Sequence, residues 1–458
     1  MKRDLTEGPV MKAVLLFTWP MLLGNLLQQC YNMADTWIVG KALGSQALAA
    51  VGSAFTLMTF LTSILIGLCM GAGSLCAIYF GRKEEESVQK RMRAAFLFIG
   101  AVSLILQFLS LLSLHGLLWI MRVPAEIYGL MYSYVKIILY GIIFVFLYNY
   151  FSCMLRALGN SLVPLIFLGV GTVGNIVLDF LFVMVWHFGV EGAAAATVAA
   201  QAFSGIGIMV YSLSKEKMFR GYRLSRKNIF IGGRLCREEP SKKYDFGRNV
   251  FHEVVVNSLA ASVQQSIMNF GILMVQSLVN SFGTVVMAAF TVGVKIDAFA
   301  YMPVQEFGNA FSVFIAQNYG AKKEDRMMQG VKKSVKLVVI FCLIVSFFVY
   351  LFAPSLIQIF VESGEKEIIA AGTQYLRTEG RFYWGIGLLF LFYGYYRAVE
   401  LPIMSVVLTV ISLGTRVVLS YLLAPQIGEM MIWYAILIGW ILADTVGAIV
   451  YCRRRRGQ

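Results

Sequence analysis

"FGRKEEESVQKRMR" at residues 80–93 returns as "YGAKKEDRMMQGVK" at residues 319–332, 239 positions later. Working outward from this pair, "GSQALAAV" from Gly44 matches "GTVVMAAF" from Gly283 at the same offset. "YSYVKI" from Tyr132 then matches "TQYLRT" from Thr373, and "RAL" at Arg156 matches "RAV" at Arg397, both at 241. A nearly constant offset from residue 44 to residue 158 marks an internal duplication, and a fold read without its repeat is misread. Between the matched pieces lie long apolar runs. The 458 residues are 59% apolar and 14% charged, against roughly 45–50% and about 25% in soluble domains, so the chain belongs in a membrane. Runs able to cross a bilayer, which takes ~20 helical residues, lie at about 13–40, 46–80, 94–120, 130–155, 162–186, 190–213, 250–280, 285–318, 334–360, 368–397, 402–424 and 430–452.

These twelve spans fall six to a repeat, and because six is even both copies enter the membrane in the same direction. The expected fold is an all-α membrane protein, with twelve transmembrane helices in two six-helix lobes related by a pseudo-twofold axis along the membrane normal. The lobes are residues 1–213 and 250–458, the second ending in a basic tail, and the polar, basic stretch 214–249 is a cytoplasmic linker. The net charge of +14 suggests nucleic acid only until its placement is examined. Most of the 39 Lys and Arg fall in 1–12, 81–93, 214–249, 321–336 and the terminal "RRRR", segments that share one side if the spans alternate. The positive-inside rule puts that side, and both termini, in the cytoplasm. The expected location is a bacterial cytoplasmic membrane, the partners are the bilayer and a small-molecule substrate, and the chain acts as a monomer without nucleic acid. The first apolar run is long and lacks a cleavage pattern, so it is a retained span. Seven cysteines without a C-x-x-C pair and three scattered histidines give no disulfide framework, metal site or cofactor. With no nucleophile and base in a recognisable pairing, an enzyme is not expected.

Polar residues inside the spans narrow the function. At 1.5 Å per helical residue, Asp35 lies ~9 Å below the outer end of span one near Lys41. Asp179 on span five and Thr197 on span six lie ~12 Å down, with Asn175 one turn below Asp179 on the same face. Two carboxylates, an amide and a hydroxyl at one level can hold a small cation, or share a proton. The plainer reading has Asp35 hydrogen-bonding Gln28 or Asn32, and Asn175 and Asp179 packing helices together. The repeat discriminates: Asp35 corresponds to about Gly271, Asn175 to Arg416 and Asp179 to Ser420, so a six-helix lobe can be built without these acids. Pro20 frees a backbone carbonyl and permits span one to bend. The second half carries its own intramembrane charges, among them Lys295, Asp297, Glu306, Arg377, Glu379, Arg381, Arg416 and Asp444. Lys295, Asp297, Glu306 and Arg416, with Gln28 and Asn32, are candidates for a substrate cavity or a charge network.

"WPMLLGNLLQQCYNMADTWIVGKALGSQALAAVG", "RALGNSLVPLIF", "GNIVLDFLFV" and "GVEGAAAATVAAQ" in the first half, with "QSLVNSFGT", "KIDAFAYMP" and "QNYGAKKEDR" in the second, resemble the multidrug and toxic compound extrusion (MATE) family in its DinF-like prokaryotic branch. The likeness covers about residues 5–450. It implies an antiporter that exports organic, often cationic amphipathic compounds by alternating access against an inward flow of Na⁺ or H⁺. It also implies that the cation site is formed by Asp35, Asn175, Asp179 and Thr197. Span seven departs from the family pattern, lacking both the proline common near its start and the acid with which another branch builds a second-lobe cation site. A lipid-linked precursor flippase of the same superfamily is the alternative; it needs a cationic cavity, for which Lys295, Arg377, Arg381 and Arg416 are the available residues.

Overall fold

A computed structural model describes residues 4–121, 123–222, 248–361 and 364–456. The described residues form helices without strands: α1 (Val10–Gly44), α2 (Gln46–Gly81), α3 (Glu85–Leu112), α4 (Ala125–Tyr140), α5 (Ile142–Ala157), α6 (Leu162–Val185), α7 (Gly189–Lys215), α8 (Arg248–Asn280), α9 (Thr284–Gly320), α10 (Glu324–Gln358), α11 (Lys366–Gly380), α12 (Tyr383–Ala398), α13 (Pro402–Ile427) and α14 (Met430–Arg456). Short helices at Leu114–Ile120 and Lys217–Tyr222 complete them. Residues 223–247 of the expected linker, and Cys236 with them, lie outside the described residues.

The duplication is written into the backbone. Gly44 breaks α1 from α2 at φ 83° and ψ −175°, and Gly283 breaks α8 from α9 at φ 97° and ψ 172°. That conformation is open essentially to glycine alone. Lys83 and Lys322, 239 apart, are both left-handed, at φ 61° and 55°. Lys83 N donates to Phe80 O and Glu84 N to Tyr79 O, while Lys322 N donates to Tyr319 O and Lys323 N to Asn318 O. Both turns therefore close their helices with the same six-to-one bond. Side chains repeat too. Leu104, Ile105, Phe108, Leu109 and Leu112 form an exposed apolar stripe on α3, and Leu343, Ile344, Phe347, Phe348 and Leu351 form its counterpart on α10. Such stripes are lipid-facing surface, since water would penalise them.

Among the described residues ten helices are long and apolar enough to cross a membrane singly. The span expected at 130–155 is instead the pair α4 and α5, bent by 45°, with Gly141 at the break donating its N–H to Ile138 O. Its repeat counterpart, α11 and α12, breaks 241 residues on, where Phe382 N donates to Glu379 O. Arg377 and Glu379 on α11, with Arg381 just past its end, interrupt the apolar run there. Counting the α4–α5 pair as one span, the described residues give eleven, and α11 with α12 fills the place that the repeat assigns to a twelfth.

Unit 1 comprises Leu23–Leu259, and unit 2 comprises Asp4–Leu22 with Ala260–Gln458. The division runs through α1 after Leu22 and α8 after Leu259. In unit 1 the core is aromatic around Tyr150, whose hydroxyl donates to Met92 O at 2.6 Å and whose ring meets Phe96 and Phe151 edge-on. The first turns of α8 belong here: Glu253 accepts from the buried Arg91 at 2.5 Å, and that guanidinium lies over the Tyr79 ring. In unit 2, Trp433 stacks on Phe290 and meets Tyr375 edge-on. The segment before α1 is fastened here. Leu5 N donates to Gln317 Oε1, Asn318 and Arg326 donate to Leu5 O, and Lys323 donates to Thr6 O.

Candidate functional site

Three helices of unit 1 each present a polar stripe at helical spacing: Gln28, Tyr31 and Asp35 on α1, Gly171, Asn175 and Asp179 on α6, and Thr197, Gln201 and Ser204 on α7. They come together because α6 and α7 approach closely. A side chain at Gly171 would meet Ser204 Oγ and displace the hydroxyl from the bond it donates to Phe167 O at 3.1 Å. Asp179 ends the regular part of α6. The next six residues, Phe180–Val185, form a π-helical turn, an arrangement concentrated at functional positions because it frees and re-aims backbone groups.

A cavity of about 200 Å³ lies between these stripes, lined among others by Gln28, Tyr31, Asn175, Thr197, Gln201 and Ser204. Tyr31 and Thr197 share a hydrogen bond of 3.4 Å across it. Asp35, Asn175, Asp179 and Thr197 are all buried, Asp179 completely. Asp35 and Asp179 lie within electrostatic reach of each other, and Tyr134 of α4 lies within reach of both. Neither Asp179 oxygen, neither polar atom of the Asn175 amide, nor Asp35 Oδ1 has a hydrogen-bond partner. Buried groups of this kind are normally paired, because an unmade bond costs about 1–3 kcal/mol and more for a charge. Asp35 Oδ1 takes no hydrogen bond from Gln28, which lines the cavity, or from Asn32, whose backbone carbonyl accepts the Thr36 hydroxyl. The oxygen-rich donor set fits a hard monovalent cation or a proton. Among the described residues no three His, Cys, Asp or Glu gather as a transition-metal site would require.

Tyr31, Tyr134, Gln201 and Ser204 are absent from the sequence reading, although the stripe spacing on α1 and α7 could have found three of them. The depth of Asp35 also changes. Because α1 continues to Gly44, the acid lies ~14 Å from that helix end rather than ~9 Å.

In unit 2, Lys295 is exposed whereas Asp297, two residues on, is buried. Glu306 is half-buried and accepts from Asn309 at 3.5 Å. Asp297 accepts from the hydroxyls of both Tyr375 and Tyr383. Arg416 is half-buried within electrostatic reach of Glu379. Pro20 lies inside α1, two residues before the boundary of unit 2.

An all-α membrane fold, with a small cavity lined by α1, α2, α5, α6 and α7, is that of a multi-pass membrane transporter. The family model described as MatE matches residues 20–181 and again 260–422, one match to each half of the duplication, and the chain belongs to that family of transporters. A relative described as the probable multidrug resistance protein YpnP of Bacillus subtilis is 26% identical over 449 residues, covering 98% of this chain and 96% of its own. The probable multidrug resistance protein NorM of Thermotoga maritima is 23% identical, covering 96% and 92%. A solved structure described as the outward-facing conformation of a multidrug resistance MATE family transporter shares the fold, with a TM-score of 0.86 at 23% identity over 98% of this chain and 97% of that one.

Proposed function

We propose that this transporter is a cation-coupled antiporter, exporting organic, often cationic and amphipathic compounds from the cytoplasm of a bacterium by alternating access. The observation that carries the proposal is the gathering of unpartnered buried oxygens on Asp35, Asn175 and Asp179 beside the unit 1 cavity. A Na⁺ ion or a proton bound there neutralises the two carboxylates and removes the penalty of their burial. If the cation binds one conformation more tightly, its arrival shifts the equilibrium between inward- and outward-open states, and by linkage weakens the hold on substrate. Pro20 lets α1 bend as it does so, with 1–213 and 250–458 as the two working lobes. The residues lining the cavity include tyrosines, a phenylalanine and side-chain amides but no Lys or Arg. That suits a flat, uncharged or cationic solute and disfavours the pyrophosphate of a lipid-linked precursor. The clustering of basic residues in alternate segments supports a cytoplasmic side for both termini. Similarity to proteins described as multidrug resistance proteins supports the substrate class.

The test is efflux of a fluorescent cationic dye from proteoliposomes with Na⁺ and pH gradients imposed separately. One gradient should drive efflux, and Asp35→Asn should abolish that coupling while expression and helical content stay unchanged. Full gradient-driven efflux by the Asp35→Asn protein would overturn the assignment.

A further inference from the structure

Where α14 leaves the membrane, unit 2 opens a cleft of about 500 Å³. It is lined by Arg453 and Arg454 of α14, by Tyr319 at the end of α9, and by the turn 399–401 between α12 and α13. From Met430 to Arg453 the helix rises ~35 Å, slightly more than the ~30 Å of a hydrocarbon core, so the two arginines stand at the depth of lipid headgroups. Ile438, Ile441, Leu442 and Ile449 are exposed on α14. Arg453, also exposed, lies one turn beyond Ile449 on the same face. A lipid acyl chain lying along that stripe brings its headgroup to the cleft, where Val450 and Leu401 add apolar surface.

A basic end to α14 is explained without any ligand, since cations complement a helix C-terminus and fix topology. The setting of Arg454 goes further. Its Nη1 donates to Val399 O at 3.1 Å and its Nη2 to the Tyr319 hydroxyl at 3.3 Å, which fixes the guanidinium against the cleft. A guanidinium carries five N–H groups, so most of them remain for an anion. Arg455 turns elsewhere, donating to Met328 Sδ of α10 at 3.5 Å. Glu400 adds one carboxylate to the lining, so two guanidiniums and one acid leave a net charge of +1. That balance matches a singly charged phosphodiester better than a phosphate dianion.

The repeat shows that the bundle does not need this arrangement. Helices α7 and α14 correspond at an offset of 241, which pairs Arg453 with Ser212 and Arg454 with Leu213, while Tyr319 pairs with Phe80 and Glu400 with Gly159. Gly159 and Glu400 share a left-handed backbone, at φ 82° and 62°. Glycine holds that conformation without strain, yet unit 2 places a charged residue there. In unit 1 the turn 158–160 is buried, and Asn160 Oδ1 accepts from Val163 N at 3.3 Å in the first turn of α6. Leu401 takes the place of Asn160, is exposed, and offers no such oxygen to the positive end of α13. We propose that this cleft binds the phosphodiester headgroup of an anionic phospholipid, with Arg453 and Arg454 on the phosphate and the acyl chains along the exposed stripe of α14. The site lies apart from the unit 1 cavity and stands whatever solute or cation the transporter carries.

Native mass spectrometry of the purified full-length transporter, titrated in detergent with phosphatidylglycerol or phosphatidylcholine, tests this. The first equivalent of phosphatidylglycerol should bind more tightly than phosphatidylcholine, and Arg453→Gln/Arg454→Gln should weaken it about 10–30-fold. Arg455→Gln/Arg456→Gln makes an equal charge change on the same tail but outside the cleft, and should leave the affinity within about 2-fold. Glu400→Gly, which installs the residue of the other repeat, should tighten binding. Glycerophosphoglycerol, the same phosphodiester without acyl chains, should not displace the lipid. Equal weakening in the two double variants, equal affinity for the two lipids, or displacement by glycerophosphoglycerol overturns the proposal. Should the Arg453→Gln/Arg454→Gln protein fail to fold, Arg453→Gln alone and Glu400→Gly should still move the affinity in opposite directions; shifts of the same sign, or none, overturn it.

Discussion

Replacing Gly71 by alanine should loosen the first turns of α8. The new Cβ would lie 2.7 Å from the Asn257 carbonyl carbon and 2.8 Å from Ser258 Cα, and closer still to the carbonyl oxygen. All three are backbone atoms, so no rotamer change relieves the collision. Ordinary contact begins near 3.4 Å, so relieving the two carbon contacts alone takes a retreat of about 0.6–0.7 Å, and the oxygen contact takes more than that. One turn earlier, Glu253 Oε2 accepts from Arg91 Nε at 3.1 Å and Nη2 at 2.5 Å. The same retreat stretches the Nε bond past hydrogen-bonding range. Overpacking of this kind costs about 1–3 kcal/mol. Because the Glu253 side chain is 40% exposed, losing the ion pair adds about 1 kcal/mol at most. The control is Gly52→Ala on the same helix, where nothing lies within 4 Å and relief of backbone entropy should gain about 0.5–1 kcal/mol. Thermal unfolding of the detergent-solubilised proteins should therefore rank Gly52→Ala at or above wild type and Gly71→Ala well below it. Glu253→Gln should also lower stability less in the Gly71→Ala background than in wild type, since the pair is already broken there. Equal stability of the two glycine variants, or strict additivity with Glu253→Gln, would refute the close-contact reasoning.

Gly44→Ala and Gly283→Ala should each destabilise by about 1–3 kcal/mol, because both positions hold a conformation that a side chain strains. The repeat predicts that their melting shifts agree within about 0.5 kcal/mol. Lys83→Gly and Lys322→Gly should be neutral or stabilise by up to about 1 kcal/mol by relieving left-handed strain, measured in the same unfolding experiment. Tyr31→Phe keeps the cavity's shape but removes the hydroxyl shared with Thr197. A loss of about 0.5–1.5 kcal/mol should appear as a roughly 3–10-fold weaker dependence of dye efflux on the coupling cation, read from its concentration dependence.

The duplication and the spans were legible because both depend on patterns longer than any single contact: hydrophobic length, and a second copy to compare. Breaks within spans were not legible. The bend at Gly141 and its counterpart at Phe382 share a hydrogen bond but not a residue type, so no local signal marks both. Close approach was equally hidden. Gly71 reads as one more small residue until Asn257, 186 positions away, is found against it. For the acids, sequence supplied the candidates but not their companions. Asp297 needed a partner, and the phenols of Tyr375 and Tyr383 answer it; hydroxyls on an aromatic, apolar stripe look like packing when only hydropathy is read. Tyr31 was overlooked for the same reason.

What the two halves kept and what they let diverge separate fold from function. Features the bundle needs recur at a fixed offset: the glycine breaks at 44 and 283, the left-handed lysines at 83 and 322, and the lipid-facing stripes of α3 and α10. Polar and charged residues within the spans diverge, since Asn175 and Asp179 become Arg416 and Ser420, while Ile138 becomes Glu379. A substitution that buries a carboxylate in hydrocarbon is destabilising unless something compensates it. Each half nevertheless holds acids where the other has neutral residues, and in each they sit beside the equivalent tyrosine. The bending elements diverge as well. Pro20 and Gly24 bracket the point where α1 passes from one unit to the other, whereas "SLAASVQQ" at the corresponding point of α8 contains neither residue. A helix without proline or glycine resists a sharp bend. The start of α8 is held within unit 1 by the Arg91–Glu253 ion pair and the close approach of Gly71 to Asn257. The duplicated fold thus supplies two similar frames, and the asymmetric residues assign them different work.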